Sequence, residues 1–100
     1  MDNTTLISNL DGINQSNVLV HIKLVKEIVT KKNERMAFIT IYDGFNTVEC
    51  TLFSNMFDKV MEKLNRNGRV KYMKDVVMLS LKPMKRNGVT SYEIIDAKKL

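Results

Sequence analysis

The residues of this sequence best suited to chemistry are cations placed beside aromatic strand residues. Lys31, Lys32 and Arg35 come directly before an apolar run that contains Phe38 and Tyr42. Lys and Arg side chains bind phosphates, and aromatic rings stack on nucleobases. Such a combination of residues would suit a polyanionic ligand with stacking rings. The simpler alternative is that the three charges only keep a turn solvated.

Residue types that could carry catalysis are scarce in this chain. His21 is the single histidine, and its position on a predicted strand indicates a structural residue rather than a base or a ligand. Cys50 alternates with Val48 and Leu52, which is typical of a small buried hydrophobe. The sequence contains neither His and Cys residues at metal-ligand spacing nor a glycine-rich phosphate loop. We therefore expect no enzymatic activity from this domain alone, no metal and no cofactor.

Length and composition indicate one globular domain with a basic surface. The chain has 100 residues, of which 44% are hydrophobic and 27% charged, and its formal net charge is +5. A net positive charge is consistent with an anionic partner, although solubility alone could also explain it. One cysteine excludes an internal disulfide, no secretory signal is apparent, and no apolar stretch approaches about eighteen residues. We expect a cytoplasmic protein that does not cross a membrane.

Hydrophobic periodicity predicts five strands and one helix. Residues 1–17 are polar, but Leu6, Ile7, Leu10 and Ile13 recur at helical spacing and indicate a short helix or a docked arm. A helix of about ten residues should open at Ser54 or Asn55 and be closed by Gly68. The predicted strands cover residues 18–30, 35–42, 47–53, 69–82 and 90–96. The first is bent at 25–26, the fourth is broken near 74–75, and an Asn87-Gly88 hairpin turn precedes the fifth.

This order of elements suits an all-β fold, a five-stranded barrel with one helix between strands 3 and 4. Closure removes the exposed edges of so small a sheet, and the arrangement is that of the oligonucleotide/oligosaccharide-binding (OB) fold. An open five-stranded sheet covered by a helix would have the same element order, but the long bent first strand favours the barrel. We predict an N-terminal arm or linker at 1–17 and the OB-fold domain at 18–100.

A barrel of this kind predicts which residues share one outer surface. OB barrels bind nucleic acid on the face of strands 2 and 3 and on the loops between strands 1 and 2 and strands 4 and 5. Small and branched residues suit the narrow interior, so Ala37, Ile39 and Ile41 are predicted to point inward and Phe38 and Tyr42 outward. The predicted nucleic-acid-binding residues are Lys31, Lys32, Arg35, Phe38, Thr40, Tyr42, Thr51, Lys85, Arg86 and Tyr92.

The aromatic assignments have a structural alternative. Phe38, together with Phe53 at the end of strand 3, could instead pack beneath the N-terminal arm or the helix. The lysines near the two hairpin turns could likewise serve solubility alone. These alternatives stay open at the level of the sequence, and the binding interpretation depends on two basic loops flanking one sheet face, which would form a groove along phosphates.

One run of residues resembles the OB-fold module of bacterial DNA polymerase III alpha subunits. Thr30-Lys31-Lys32, Met36-Ala37-Phe38-Ile39, Asp43, Phe53 and Phe57 occupy the places of that module's motif. The resemblance covers about residues 17–65 and extends loosely to 97. Asn33 stands where the family usually has Gly, Ser54 replaces a frequent Pro, and the segment after the helix lacks a common glycine.

The resemblance implies a module that holds single-stranded template for a polymerase and does not itself catalyse. This chain is too short to contain the polymerase's catalytic carboxylates, so the resemblance implies either an excised domain or a free-standing relative. We expect single-stranded DNA as the partner, with other replisome proteins as further candidates, and a monomer for the isolated domain. A protein-docking module and an RNA-binding module of the anticodon-binding type remain the alternatives.

Overall fold

Five strands close into a barrel in the computed structural model, which describes residues 4–100. The strands follow the spatial order β1-β2-β3-β5-β4, and β4 pairs with β1 to close the barrel. The helix α1 lies between β3 and β4 in the chain and packs against β5 and β2. The elements are β1 Ser16–Val29, β2 Arg35–Tyr42, β3 Thr47–Leu52, α1 Ser54–Leu64, β4 Val77–Arg86 and β5 Val89–Lys99. The predicted all-β OB barrel is confirmed.

Strict alternation on β2 and β3 builds the barrel interior. Ala37, Ile39 and Ile41 are fully buried, as predicted, because every second side chain of β2 points inward. Ile39 pairs with Cys50 of β3, which is also fully buried. Burial, with a smaller contribution from the charge of neighbouring Glu49, raises the pKa of the Cys50 thiol to about 12. The thiol is therefore neutral and packs as a small hydrophobe.

The long strand β1 pairs with two different strands and so closes the barrel. Its first part, Ser16 to Val20, pairs with β4, and its second part, His21 to Val29, pairs with β2. The register shifts between Ile22 and Leu24, two residues before the predicted bend. The prediction missed this position because Leu24 and Val25 are consecutive apolar residues, so the alternation can be assigned in either phase.

The segment between α1 and β4 differs from the prediction. The sequence predicts a strand at 69–73, but 69–71 are irregular, a turn covers 72–74, and β4 begins only at Val77. Val70 is buried, and its backbone N–H donates a hydrogen bond to Asn65 Oδ1 at 3.0 Å. Met73 has a left-handed φ of 61°, which no regular strand contains. The apparent strand pattern thus arises from one buried residue, Val70, in an irregular segment.

The start of α1 also differs from the prediction. Ser54 is the first helical residue, and Phe53 occupies the N-cap position without a side-chain hydrogen bond. At the other end Asn65 is the C-cap, and Gly68 follows with a φ of 116°. The apolar face of the helix, formed by Phe57, Val60 and Leu64, packs on the barrel core. Within residues 4–100 no helix is long and apolar enough to span a membrane.

The N-terminal segment docks on the barrel through one short turn. Ile7–Asn9 form a single turn of 3-10 helix, where a short helix or a docked arm was expected. Ile7 is buried in the core, whereas Ile13 is largely exposed. The first three residues of the predicted arm lie outside the described part of the chain, and the division into 1–17 and 18–100 stays a prediction.

Asp43 fastens this segment to the turn between β2 and β3. Its carboxylate accepts hydrogen bonds from the backbone N–H of Ile7 at 2.8 Å, of Phe45 at 2.9 Å and of Asn46 at 2.8 Å. Desolvation raises the pKa of Asp43, but the hydrogen bonds from Asn46, Ile7 and Phe45 outweigh it and hold the pKa below the usual range. The charged form is therefore favoured in the folded state.

We expect Asp43→Ala to lower the melting temperature by about 5 °C, the size of effect that loss of one capping interaction brings to a domain of this length. A carboxyl whose pKa is lowered on folding adds stability above its unfolded pKa of about 4, and this stability is lost as pH falls through the folded value. The melting temperatures of the two proteins should therefore differ most at neutral pH and converge as the pH falls through the folded pKa of Asp43. A difference that stays constant as the pH is lowered until the protein unfolds would contradict the assigned role.

Candidate nucleic-acid interface

The outer face of β2 and β3 presents aromatic and hydroxyl side chains in register. Phe38 pairs with Thr51, and Tyr42 pairs with Thr47 at the opposite end of β2. Directly paired residues of antiparallel strands project from the same face. Phe38, Thr40, Tyr42 and Thr51 are each half-buried, so one side of each remains accessible. The four predicted outer residues of these strands therefore share one surface.

A cleft lies where this face meets the β4–β5 hairpin. Its volume is about 280 Å³. The β2–β3 face supplies aromatic, thioether and hydroxyl groups, and the hairpin supplies two cationic side chains. Its lining residues are Met36, Phe38, Thr51, Phe53, Met84, Lys85, Arg86 and Ser91. Four of the predicted binding residues, from two distant parts of the chain, thus meet in one cleft.

The β4–β5 hairpin reaches this position because it extends beyond the barrel closure. β4 pairs with β1 only as far as Leu81, and from Lys82 onward it pairs with β5 alone. Pro83 fits there because one side of the strand has no ladder partner. Asn87 and Gly88 have φ values of 53° and 78°, so the predicted Asn-Gly turn with two positive φ angles is confirmed.

The β1–β2 turn places Lys31 and Lys32 at the end of β2 nearest the cleft. Thr30 N–H donates to Glu34 O at 2.8 Å and Asn33 N–H donates to Thr30 O at 2.9 Å, which closes the turn. Asn33 has a φ of 62°, a conformation that Asn tolerates better than most residues other than Gly. Both lysines are exposed. The turn leads directly into β2, whose second and fourth residues line the cleft.

Arg35, unlike the other predicted cations, contacts a carboxylate and an aromatic ring of the protein itself. Its guanidinium donates to Glu27 Oε1 at 2.9 Å, and its Cζ lies 4.6 Å from the centre of the Phe57 ring. Phe57 belongs to α1 and is buried. Arg35 therefore braces the β1–β2 hairpin against the helix, and this stabilising contact competes with any role toward a ligand.

The loop cations are free to meet phosphates. Lys31, Lys32, Lys85 and Arg86 are exposed, and none of them forms an ion pair with a carboxylate of residues 4–100. Ion pairs are found elsewhere on the surface, between Lys63 and Asp96, Arg66 and Glu62, and Arg35 and Glu27. Phosphate contacts by the four unpaired cations would therefore break no ion pair that the described chain makes.

Tyr92 departs from its expected position. It is only 8% exposed and belongs to the core, on the same side of β5 as Ile94. Its paired residue on β4 is Pro83, and its neighbours Ser91 and Glu93 are less buried. An aromatic ring in the core cannot stack on a base from outside, so Tyr92 does not belong to the outer set. The prediction had no marker for which face of β5 this residue occupies.

Sequence reasoning missed one cation beside the central aromatic residue. Lys26 of β1 is exposed and pairs directly with Phe38. Leu24, Lys26 and Ile28 lie in one phase of β1 beyond the register shift, each opposite an outer residue of β2. The sequence prediction put the bend at 25–26, which left the orientation of Lys26 unassigned. With the shift placed at Lys23, the alternation alone would have identified it.

The histidine, the cysteine and the acidic residues of residues 4–100 are the groups that a metal site or a nucleophile would require. In residues 4–100 no three side chains of His, Cys, Asp or Glu are grouped to hold a metal ion. His21 Nδ1 lies 3.0 Å from the carbonyl oxygen of Asp75, a contact that fixes the turn before β4. Cys50 is buried and protonated, as described above, so it is not an available nucleophile.

Comparison with known proteins agrees with the resemblance seen in the sequence. No family model matches the chain. Over 63 residues it is 41% identical to the DNA polymerase III subunit alpha of Staphylococcus aureus strains MSSA476, MRSA252 and Mu50. The aligned segment is 63% of this chain, and the chain spans only about 6% of the length of these curated relatives.

The fold has a solved counterpart. The mitochondrial single-stranded DNA binding protein Rim1 of S. cerevisiae superposes with a TM-score of 0.56 over 88% of this chain and 96% of its own, at 17% identity. At that identity the likeness concerns the fold alone. The chain is therefore an OB barrel whose sequence is similar to a short segment of the DNA polymerase III alpha subunit.

Proposed function

We propose that this domain binds single-stranded DNA and serves a replicative polymerase as an accessory grip on the template, without catalysing the reaction. The observation that carries the proposal is the cleft in which Phe38 and Thr51 of the sheet face meet Lys85 and Arg86 of the hairpin. Bases stack on aromatic rings while cations contact the phosphates between them. The cleft provides both kinds of contact within one small volume.

The relatives support the same assignment. The curated relatives are named as subunits of a DNA polymerase, and the solved neighbour is named as a single-stranded DNA binding protein. The chain matches only a short segment of the polymerase subunit. A grip on the template is a role that one small barrel can perform within a larger enzyme, whereas the chemistry belongs to other parts of that enzyme.

Weak sequence preference follows from the composition of the cleft. Its side chains offer ring faces, thioethers and hydroxyls, together with the two cations. Ring faces accept every base, and cations contact the backbone that all sequences share. Discrimination between bases needs several fixed hydrogen-bond donors and acceptors that match the base edges, as in sequence-specific DNA-binding proteins. We therefore expect similar affinities for oligonucleotides of different sequence.

Salt dependence tests the phosphate contacts. If Lys31, Lys32, Lys85 and Arg86 together neutralise about four phosphates, log K should fall with log salt at a slope of roughly −3, the value for single strands. Fluorescence anisotropy of labelled oligo-dT, measured over a series of salt concentrations, gives this slope. Absence of binding at low salt, or a response that is flat, would refute the proposal.

A protein-docking role is the second candidate, and the methionines of the cleft favour it. Met36 and Met84 line the cleft beside Phe53. Methionine is common at surfaces that bind varied protein partners because its side chain adapts its shape. Salt-insensitive binding of another replisome protein would support this role, and a preference for folded RNA over oligo-dT would instead indicate an RNA-binding module.

A further inference from the structure

A second basic and aromatic surface lies in the turn between α1 and β4. We call residues 71–75 the basic turn. Tyr72 is 47% exposed and Met73 is 44% exposed, and Lys71 and Lys74 are exposed beside them. Neither lysine forms an ion pair with a carboxylate of residues 4–100. Two large apolar side chains at the surface between two unpaired cations are not explained by the core.

Hydrogen bonds hold the basic turn in one shape. Met73 N–H donates to Ile22 O at 2.9 Å, which ties the left-handed residue at the tip to β1. Lys71 N–H donates to Asp75 Oδ2 at 2.8 Å, and Asp75 N–H donates back to Lys71 O at 3.0 Å. The Asp75 carboxylate thus contacts the backbone of the turn. A ligand would meet a preformed surface and would not have to order it.

The basic turn lies on the outer side of β1 next to the proposed binding face. His21 Nδ1 lies 3.0 Å from Asp75 O, and His21 pairs directly with Tyr42 of β2. Paired residues share a face, so the side chain that contacts the turn projects from the same face as Tyr42. Tyr42 is four residues along β2 from Phe38, a distance of about 13 Å on a strand.

The order of these surfaces suggests a path. The cleft at Phe38 lies at one end of the outer face, Tyr42 lies at the other end, and the basic turn borders Tyr42 across β1. Each of the three sites carries an aromatic ring, and two of them carry exposed cations. A single strand that filled the cleft could continue over Tyr42 to the basic turn without leaving the surface.

We propose that the basic turn is a second contact site for single-stranded nucleic acid, at which Tyr72 stacks on a base and Lys71 and Lys74 bind phosphates. The inference rests on the proposed function and extends it, because it makes affinity depend on strand length. A short strand fills the cleft alone. A longer strand reaches both the cleft and the basic turn.

The test compares Tyr72→Ala with the unchanged protein on two labelled oligonucleotides, oligo-dT of about five and of about fifteen nucleotides, lengths within the range that single OB folds bind. Affinity for the longer strand should fall about fivefold or more, the lower range for loss of a stacked base, and affinity for the shorter strand should stay the same. Tyr72→Phe keeps the ring and should bind both strands as the unchanged protein does.

A charge-reversal variant and a matched control complete the test. Lys74→Glu should weaken binding of the longer strand only. The control, Lys98→Glu, makes the same charge change at an exposed residue near the end of β5 and should have a smaller effect. Equal losses on both lengths, or no loss on the longer strand, would overturn the second site while leaving the first intact. Failure of the unchanged protein to bind either strand would overturn the proposed function and, with it, this inference.

Discussion

Reversing the charges of both loops, by Lys31→Glu, Lys32→Glu, Lys85→Glu and Arg86→Glu, is expected to lower the affinity for oligo-dT by about two orders of magnitude or more at low salt. All four side chains are exposed and lack carboxylate partners among residues 4–100. The substitution removes the cations that release counterions from the strand and replaces them with charges that repel it. With oligo-dT of about five nucleotides, which fills the cleft alone, the salt slope should approach zero in the same titration.

Each loop can be tested separately for a structural role. Lys31→Glu with Lys32→Glu should weaken binding while the melting temperature barely moves, because surface charges without partners contribute little to stability. The matched control is Lys59→Glu with Lys98→Glu, which changes net charge equally at exposed residues outside the cleft. Loss of fold in the loop variant would show that the turn is structural, and equal weakening by the control would show a non-specific charge effect.

The parts of the fold that local chemistry determines could be predicted from the sequence. Inward positions of Ala37, Ile39 and Ile41 follow from alternation, because one face of a strand must be apolar when it is buried. The hairpin at Asn87 and Gly88 follows from the two positive φ angles that this turn requires. The alternation and the turn each depend only on residues close together in the chain, so a single sequence is enough to predict them.

The parts that could not be predicted depend on contacts between distant residues. The register shift after Ile22 has no sequence marker stronger than two adjacent apolar residues. The turn at 71–75 is held by His21, which is 54 residues from its partner Asp75. The inward position of Tyr92 depends on how β5 pairs with β4, where a second register shift falls between Ser80 and Leu81. Alternation alone allows either set of alternate side chains of such a strand to point inward, and pairing with the neighbouring strands determines which set does.

The candidate site shows the same division between local and distant determinants. The basic loops and Phe38 could be proposed from the sequence because cations and aromatic rings are the residue types that contact phosphates and bases. That Phe38 and Lys85 line one cleft could not be predicted from residue types, since it depends on the pairing of β3 with β5 in the barrel. Arg35 shows the limit of residue type as evidence: it has the right charge, yet Glu27 and Phe57 hold it against the helix.

Phe38→Ala is expected to lower the affinity for oligo-dT by about tenfold, within the range of about 1–3 kcal/mol per stacked base. Phe38 lines the cleft and has Lys26 and Thr51 as its direct cross-strand neighbours. The ring is half-buried, so its loss should reduce the melting temperature only modestly and leave the barrel folded. Anisotropy titrations measure the affinity, and thermal unfolding establishes that the variant is intact.

The salt slope separates stacking at Phe38 from the effect of the loop charges. Phe38→Ala removes no cation, so its affinity should fall by the same factor at every salt concentration, with the slope unchanged at roughly −3. Phe38→Tyr retains the ring and should bind as the unchanged protein does. If Phe38→Ala stays within about twofold of that affinity, the ring packs against its neighbours without meeting a base, and the cleft binds its ligand through charge alone.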